Sequence, residues 1–157
     1  MNVRRAIFLV LFSVTAVMVV NAHGNKRLMG TWELQSQKID GKPQKLTGTR
    51  LRLVTAKHFV WIQQSTKEVR ELLARATPHD SAVAYHDVAG GGTYSVAGDV
   101  FTETTEFFYD PANIGSKIDW KFRLEGDLWY TSGHYIHYQD GKPIENLLLE
   151  EVWKKLD

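Results

Sequence analysis

The sequence predicts an all-β protein, an eight-stranded up-and-down antiparallel barrel with one short helix between strands three and four. Three observations predict it. After residue 30, apolar and polar residues alternate with a period of two almost to the end of the chain, as in strands with one buried face. Turn dipeptides punctuate those runs, and Gly-Asp suits a tight hairpin because glycine takes positive φ at little cost. The pairings this implies are mostly local hairpins, and closing such a sheet on itself removes its exposed edges.

The elements follow in order. Arg4 and Arg5 precede a charge-free apolar stretch, Ala6–Val20, and then Val20-Asn21-Ala22. This is the tripartite secretory pattern, and the stretch is shorter than the roughly 20 residues of a membrane span. Residues 1–22 are therefore read as a cleaved signal peptide and 23–157 as one domain. That domain is expected to be secreted or periplasmic, with no stable membrane insertion after cleavage. Loss of the two arginines takes the net charge from +1 to −1.

Thr31–Lys38 is the first predicted strand, with Trp32, Leu34 and Ser36 on one face. Arg50–Thr55 and His58–Gln64 flank Ala56-Lys57 as a hairpin. Ser65-Thr66-Lys67-Glu68 then fits a capping box, with Val69, Leu72, Leu73 and Ala76 at helical spacing and Pro78 as the stop. The helix Glu68–Ala76 is read as a lid on the barrel mouth. Gly90-Gly91-Gly92 lacks the Lys-Ser/Thr and the following helix of a phosphate loop, so it reads as a bent entry to the fourth strand. Thr93–Ala97 and Val100–Tyr109 flank Gly98-Asp99, and Lys117–Glu125 and Leu128–Tyr138 flank Gly126-Asp127. Leu147–Lys155 is the last strand. Asp-Gly-Lys-Pro occurs twice, at 40–43 and 140–143, and both copies read as turns.

Composition excludes several classes. At 43% apolar and 24% charged, the chain is a globular protein rather than a disordered one. It has no cysteine, which removes a disulfide scaffold, a zinc ribbon and a thiol nucleophile. A net charge near zero gives no electrostatic case for nucleic acid.

Gly30-Thr31-Trp32 at the start of the first strand resembles the signature of the lipocalin-like (calycin) superfamily. The ordered series Gly-Thr-Trp-Glu-Leu (30–34), His-Phe-x-Trp (58–61), Gly-Gly-Thr-Tyr (91–94), Thr-Glu (102–103) and Glu-x-Trp (151–153) is similar to that of small exported bacterial lipocalin-like proteins of unassigned activity. The resemblance implies that Trp32 closes the narrow end of the barrel beneath a basic side chain from the segment Glu151–Lys155. The 65–89 connection is longer than in those relatives. Because one fold hosts many functions, the likeness speaks to architecture more than to activity.

Strand geometry sorts the candidate chemistry, since residues i and i+2 share a face. Leu147, Leu149, Glu151 and Trp153 share one, as do Phe101, Glu103, Thr105 and Phe107. Two carboxylates inside one barrel would raise at least one pKa. His134 and His137 point to opposite faces of a regular strand, as do His58 and Trp61, so the first two cannot bind one metal without a bulge, while His58 with His134 or His137 and a carboxylate is conceivable as a site by ligand type. Neither a metal nor a cofactor is expected, and His79 and His86 read as solvated. The aromatic series Trp61, Tyr94, Phe101, Tyr109, Trp120, Trp129, Tyr130 and Tyr135 suits a lined pocket.

The leading expectation is a barrel that holds a small, partly apolar ligand. Its site would comprise His58, Trp61, Tyr94, Phe101, Glu103, His134, Tyr135 and Glu151, with polar anchoring by His58 or His134. An enzyme of isomerase, cyclase or hydrolase type would instead bring Glu103, Glu151 and a histidine such as His134 together. An envelope interaction protein would show a filled barrel and an exposed apolar patch.

Overall fold

A computed structural model describes residues 26–65, 71, 89–108, 111–139 and 142–157. The predicted signal peptide, the lid helix Glu68–Ala76 apart from Glu71, Tyr109, His79 and His86 lie outside them.

Among the described residues nine strands follow one another: β1 (Gly30–Ile39), β2 (Lys42–Gln44), β3 (Gly48–Val54), β4 (His58–Ser65), β5 (Ala89–Ala97), β6 (Val100–Phe108), β7 (Lys117–Glu125), β8 (Leu128–Gln139) and β9 (Lys142–Lys155). β1 pairs antiparallel with β3, each of β3 to β8 pairs antiparallel with the next, and β9 pairs back onto β1. The predicted eight-stranded antiparallel barrel is therefore present, with β2 as a short addition to the upper half of β1. The hairpin turns are where Gly-Asp predicted them, and Gly98 and Gly126 adopt φ of 61° and 57°, values that side chains on Cβ disfavour.

The turns at 55–57, 98–99 and 126–127 gather at one end of the barrel with the segment around Leu28 and the C-terminus. This end is closed by Trp32, Val54, Phe59, Phe101, Trp129 and Trp153, all buried. Edge-to-face contacts lock Trp32 against Trp129 (centroids 5.3 Å) and Phe101 against Trp129 (5.4 Å), each worth about 0.5–1.5 kcal/mol beyond burial. Trp32 donates its indole N–H to Leu28 O, and Lys155 Nζ stands 5.5 Å above its ring. The C-terminal strand thus supplies the basic partner that the resemblance implied.

Two bulges change which side chains face inward. β1 skips a residue between Leu34 and Ser36, so Ser36 leaves the inner face and Gln37 takes its place opposite Glu151. β6 does the same opposite Gly91 and Gly92. Phe107, expected beside Glu103, is instead 47% exposed on the outer wall, and Phe108 turns its ring onto Trp61 (5.5 Å). The triple glycine is not a bent entry to β5 but part of that strand, where the absence of side chains lets β6 and its aromatic rings approach.

Candidate functional site

The inner faces of the strands stack in three layers. Above the tryptophan floor lies a charged layer that the sequence reading did not place. Arg52, on the inner face of β3 between Arg50 and Val54, is 3% exposed. Its Nη1 is 3.1 Å from Glu103 Oε1 and its Nη2 is 3.7 Å from Glu151 Oε2. Its guanidinium carbon stands 4.4 Å from the ring centroid of Trp153, 5.2 Å from Trp129 and 5.7 Å from Trp120. Two buried carboxylates thus share one cation inside an aromatic cage.

Glu151 is well provided with donors. Gln37 donates Nε2–H to Oε1 at 2.9 Å, Arg50 reaches the same oxygen at 3.4 Å, and Trp153 donates its indole N–H to Oε2 at 3.1 Å. Glu103 is poorer. Burial pushes its pKa up, the charge of Arg52 and the side chain of Trp120 oppose the rise, and the charge of Glu151 adds to it. Burial wins because the Arg52 pairing does not align as a hydrogen bond. The folded state therefore holds the Glu103 proton more tightly than the unfolded chain does. This stabilisation is full below the unfolded carboxyl value, near 4.3, and is lost as pH rises through the elevated folded value. Glu103→Gln is expected to flatten the stability profile on the alkaline side of pH 4.5, as read by urea unfolding from pH 4 to 8. An unchanged slope would refute the assignment.

The upper layer faces the end of the barrel where β4 ends and β5 begins. Arg50 donates Nε–H and Nη2–H to Gln63 Oε1 (2.9 and 2.6 Å), and its guanidinium lies 5.7 Å from the ring centroid of Trp61. Burial lowers its pKa and Glu151 raises it again; a guanidinium stays charged through such shifts. Its side chain keeps 24% exposure, so it is reachable where Arg52 is not. On the opposite wall Tyr135 donates its hydroxyl to Asn113 Oδ1 at 3.2 Å. Asn113, in the 3-10 turn Pro111–Asn113, is itself buried.

The predicted site residues separate accordingly. Glu103 and Glu151 meet at Arg52, and Trp61 and Tyr135 belong to the upper layer. Phe101 is fully buried in the floor. Tyr94 stacks on it at 4.6 Å and donates its hydroxyl to Thr55 O at 2.7 Å, which places it at the closed end and not in a pocket. His58 and His134 do not anchor anything in the lumen. Their neighbours Phe59 and Tyr135 take the inward positions, so both histidines are exposed on the outer wall, and His134 Nδ1 lies 2.9 Å from Asn146 Oδ1. Among the described residues no histidine joins the two carboxylates, and no group of three metal-ligating side chains converges.

Hollows also mark the outer wall. Two open grooves of about 560 and 630 Å³ run over β1, β9, β8 and β7, edged by Lys38, Lys121, Arg123 and Glu150 in the first and by Asp119 and His134 in the second. Their mixed charges and solvent exposure set them apart from the layered interior. Leu53, Ile62 and Phe107, each 44–47% exposed, are among the large apolar side chains on the outer wall.

Fold and interior together define a closed antiparallel β-barrel with a charged middle layer, compatible with a lipocalin-like architecture and able in principle to hold a ligand. No protein-family model matches the chain, and no curated protein matches its sequence.

Proposed function

We propose that the protein is an exported barrel that binds a small, partly apolar ligand in its upper layer, with the ligand's polar head on Arg50 and Gln63. The observation that carries this reading is the contrast between the two inner arginines of β3. Arg52 is consumed by two carboxylates and three tryptophans, whereas Arg50 is partly exposed and has donor capacity left. The Trp61 ring lies beside it and packs edge-on against Phe108, and this mixture of aromatic wall and few polar groups suits a small-molecule site. Export rests on the Arg4–Ala22 pattern.

Native mass spectrometry of the protein from its own host should reveal a bound small molecule. Arg50→Ala should weaken that binding by roughly 10–100-fold, the worth of one or two charge-assisted hydrogen bonds. A barrel that holds nothing, with a lumen packed solid by side chains, would refute the reading.

A further inference from the structure

The wall of the barrel is interrupted beside Arg50. β1 pairs with β3 only over Gly30–Glu33 and with β2 only over Gln37–Ile39. Leu34, Gln35 and Ser36 therefore have no strand partner on that side, at the point where β1 also carries its bulge. The chain opposite swings outward as Lys45-Leu46-Thr47 before β3 begins at Gly48. A cavity of about 40 Å³ fills the interruption, lined by Leu34, Gln37, Leu46, Gly48, Arg50 and Gln63. Two of its lining side chains, Gln37 and Arg50, also hold Glu151 Oε1.

The three-residue strap over this opening is weakly held. Among the described residues, Lys45, Leu46 and Thr47 make no hydrogen bond. Lys45 and Thr47 are exposed, and Leu46 alone packs against the core. A wall segment with no ladder bonds and one apolar anchor belongs to the low-stability end of a fold, which opens locally at small cost. β6 also outruns its pairing with β7 beyond Thr104, but there Thr105 is bonded to Gly115 and Ser116, whereas the 45–47 strap has no such bonds.

We propose that the lumen is entered sideways, through the window between β1 and β3, and that the 45–47 strap is its gate with Leu46 as the latch. This rests on the ligand reading above and adds the route by which that site is filled. At about 40 Å³ the closed window admits one or two waters, so a ligand passes only when Leu46 leaves its seat. The gate then sets the rates of entry and exit, and the lumen sets the affinity.

Stopped-flow fluorescence with 8-anilinonaphthalene-1-sulfonate tests this. Leu46→Ala should speed both association and dissociation about tenfold with the dissociation constant held within about threefold, since a gate acts on both rates alike. Leu46→Trp, which enlarges the latch, should slow both. Ile114→Ala, in the exposed loop at the barrel end, should change neither. If the probe shows no saturable binding, or binding that Arg50→Ala leaves unchanged, the ligand reading falls and the gate with it. If binding is saturable and sensitive to Arg50 but the Leu46 variants leave the rates unaltered, the gate alone falls. Acceleration by both Leu46 variants marks a generally loosened barrel and also overturns it.

Discussion

Arg52→Ala is expected to cost about 3–5 kcal/mol of folding stability at neutral pH, as expected when one partner is cut from a buried ion cluster. The guanidinium is the shared counter-charge of Glu103 and Glu151. Without it Glu103 has burial against it and little in its favour, and the aromatic cage of Trp153, Trp129 and Trp120 loses the body that fills it. The two carboxylates are not equivalent in this. Glu151 retains Gln37, Arg50 and Trp153, so the damage centres on Glu103. The variant should therefore recover stability as pH falls and Glu103 takes up a proton, narrowing its gap to the wild type near pH 4–5. Pairing Arg52→Met with Glu103→Gln should restore a large part of the loss at pH 7, because a neutral pair of similar volume needs no counter-charge. Urea unfolding of the single and double variants checks both points. A loss below about 1 kcal/mol for Arg52→Ala would mean that water reaches the cluster and that the middle layer is not the dry hub described.

How much of this was legible follows from what strand periodicity can and cannot carry. Alternation and Gly-Asp turns were enough for the barrel, because both act locally. The inward placement of Glu103 and Glu151 was legible for the same reason, since each alternates with buried aromatics on a regular strand. Arg52 was not. In Arg-Leu-Arg-Leu-Val (50–54) the leucines look like the inner set, yet Leu53 is 44% exposed and Arg52 is 3% exposed. Two signals pointed the other way: Val54 shares the face of Arg52, and two interior carboxylates require a cation. The outward histidines were also implicit, for His58 and Trp61 cannot both face the lumen of a regular strand. The fates of Ser36 and Phe107 were beyond reach. Each depends on one extra residue in a ladder, and such a bulge reverses the parity of everything after it.

Gly92→Ala is the second large effect, with an expected loss of about 3 kcal/mol or more, at the upper end of the overpacking range. At the β6 bulge the opposing backbone crosses directly over Gly92. A Cβ there would run into Thr104 O and stand 2.8 Å from Glu106 N, both main-chain atoms that cannot rotate aside. Its neighbours offer an internal comparison. A Cβ at Gly91 would meet the Phe107 ring, which is half in solvent and free to swing, though Phe59 O is also close at 2.6 Å. One at Gly90 would meet first the rings of Phe108 and Trp61. The cost should therefore fall in the order Gly92, Gly91, Gly90. The Gly92 variant can relieve its clash only by giving up the bulge. That would reverse the parity above Thr105, bringing Phe107 inward and sending Phe108 out, away from Trp61 beside Arg50. Urea unfolding gives the ranking. The wavelength of tryptophan emission reports whether the Trp61 environment changes in the Gly92 variant and not in the other two. Equal costs at the three positions would show that strand propensity alone, and not the crossing of β6 over β5, keeps them glycine.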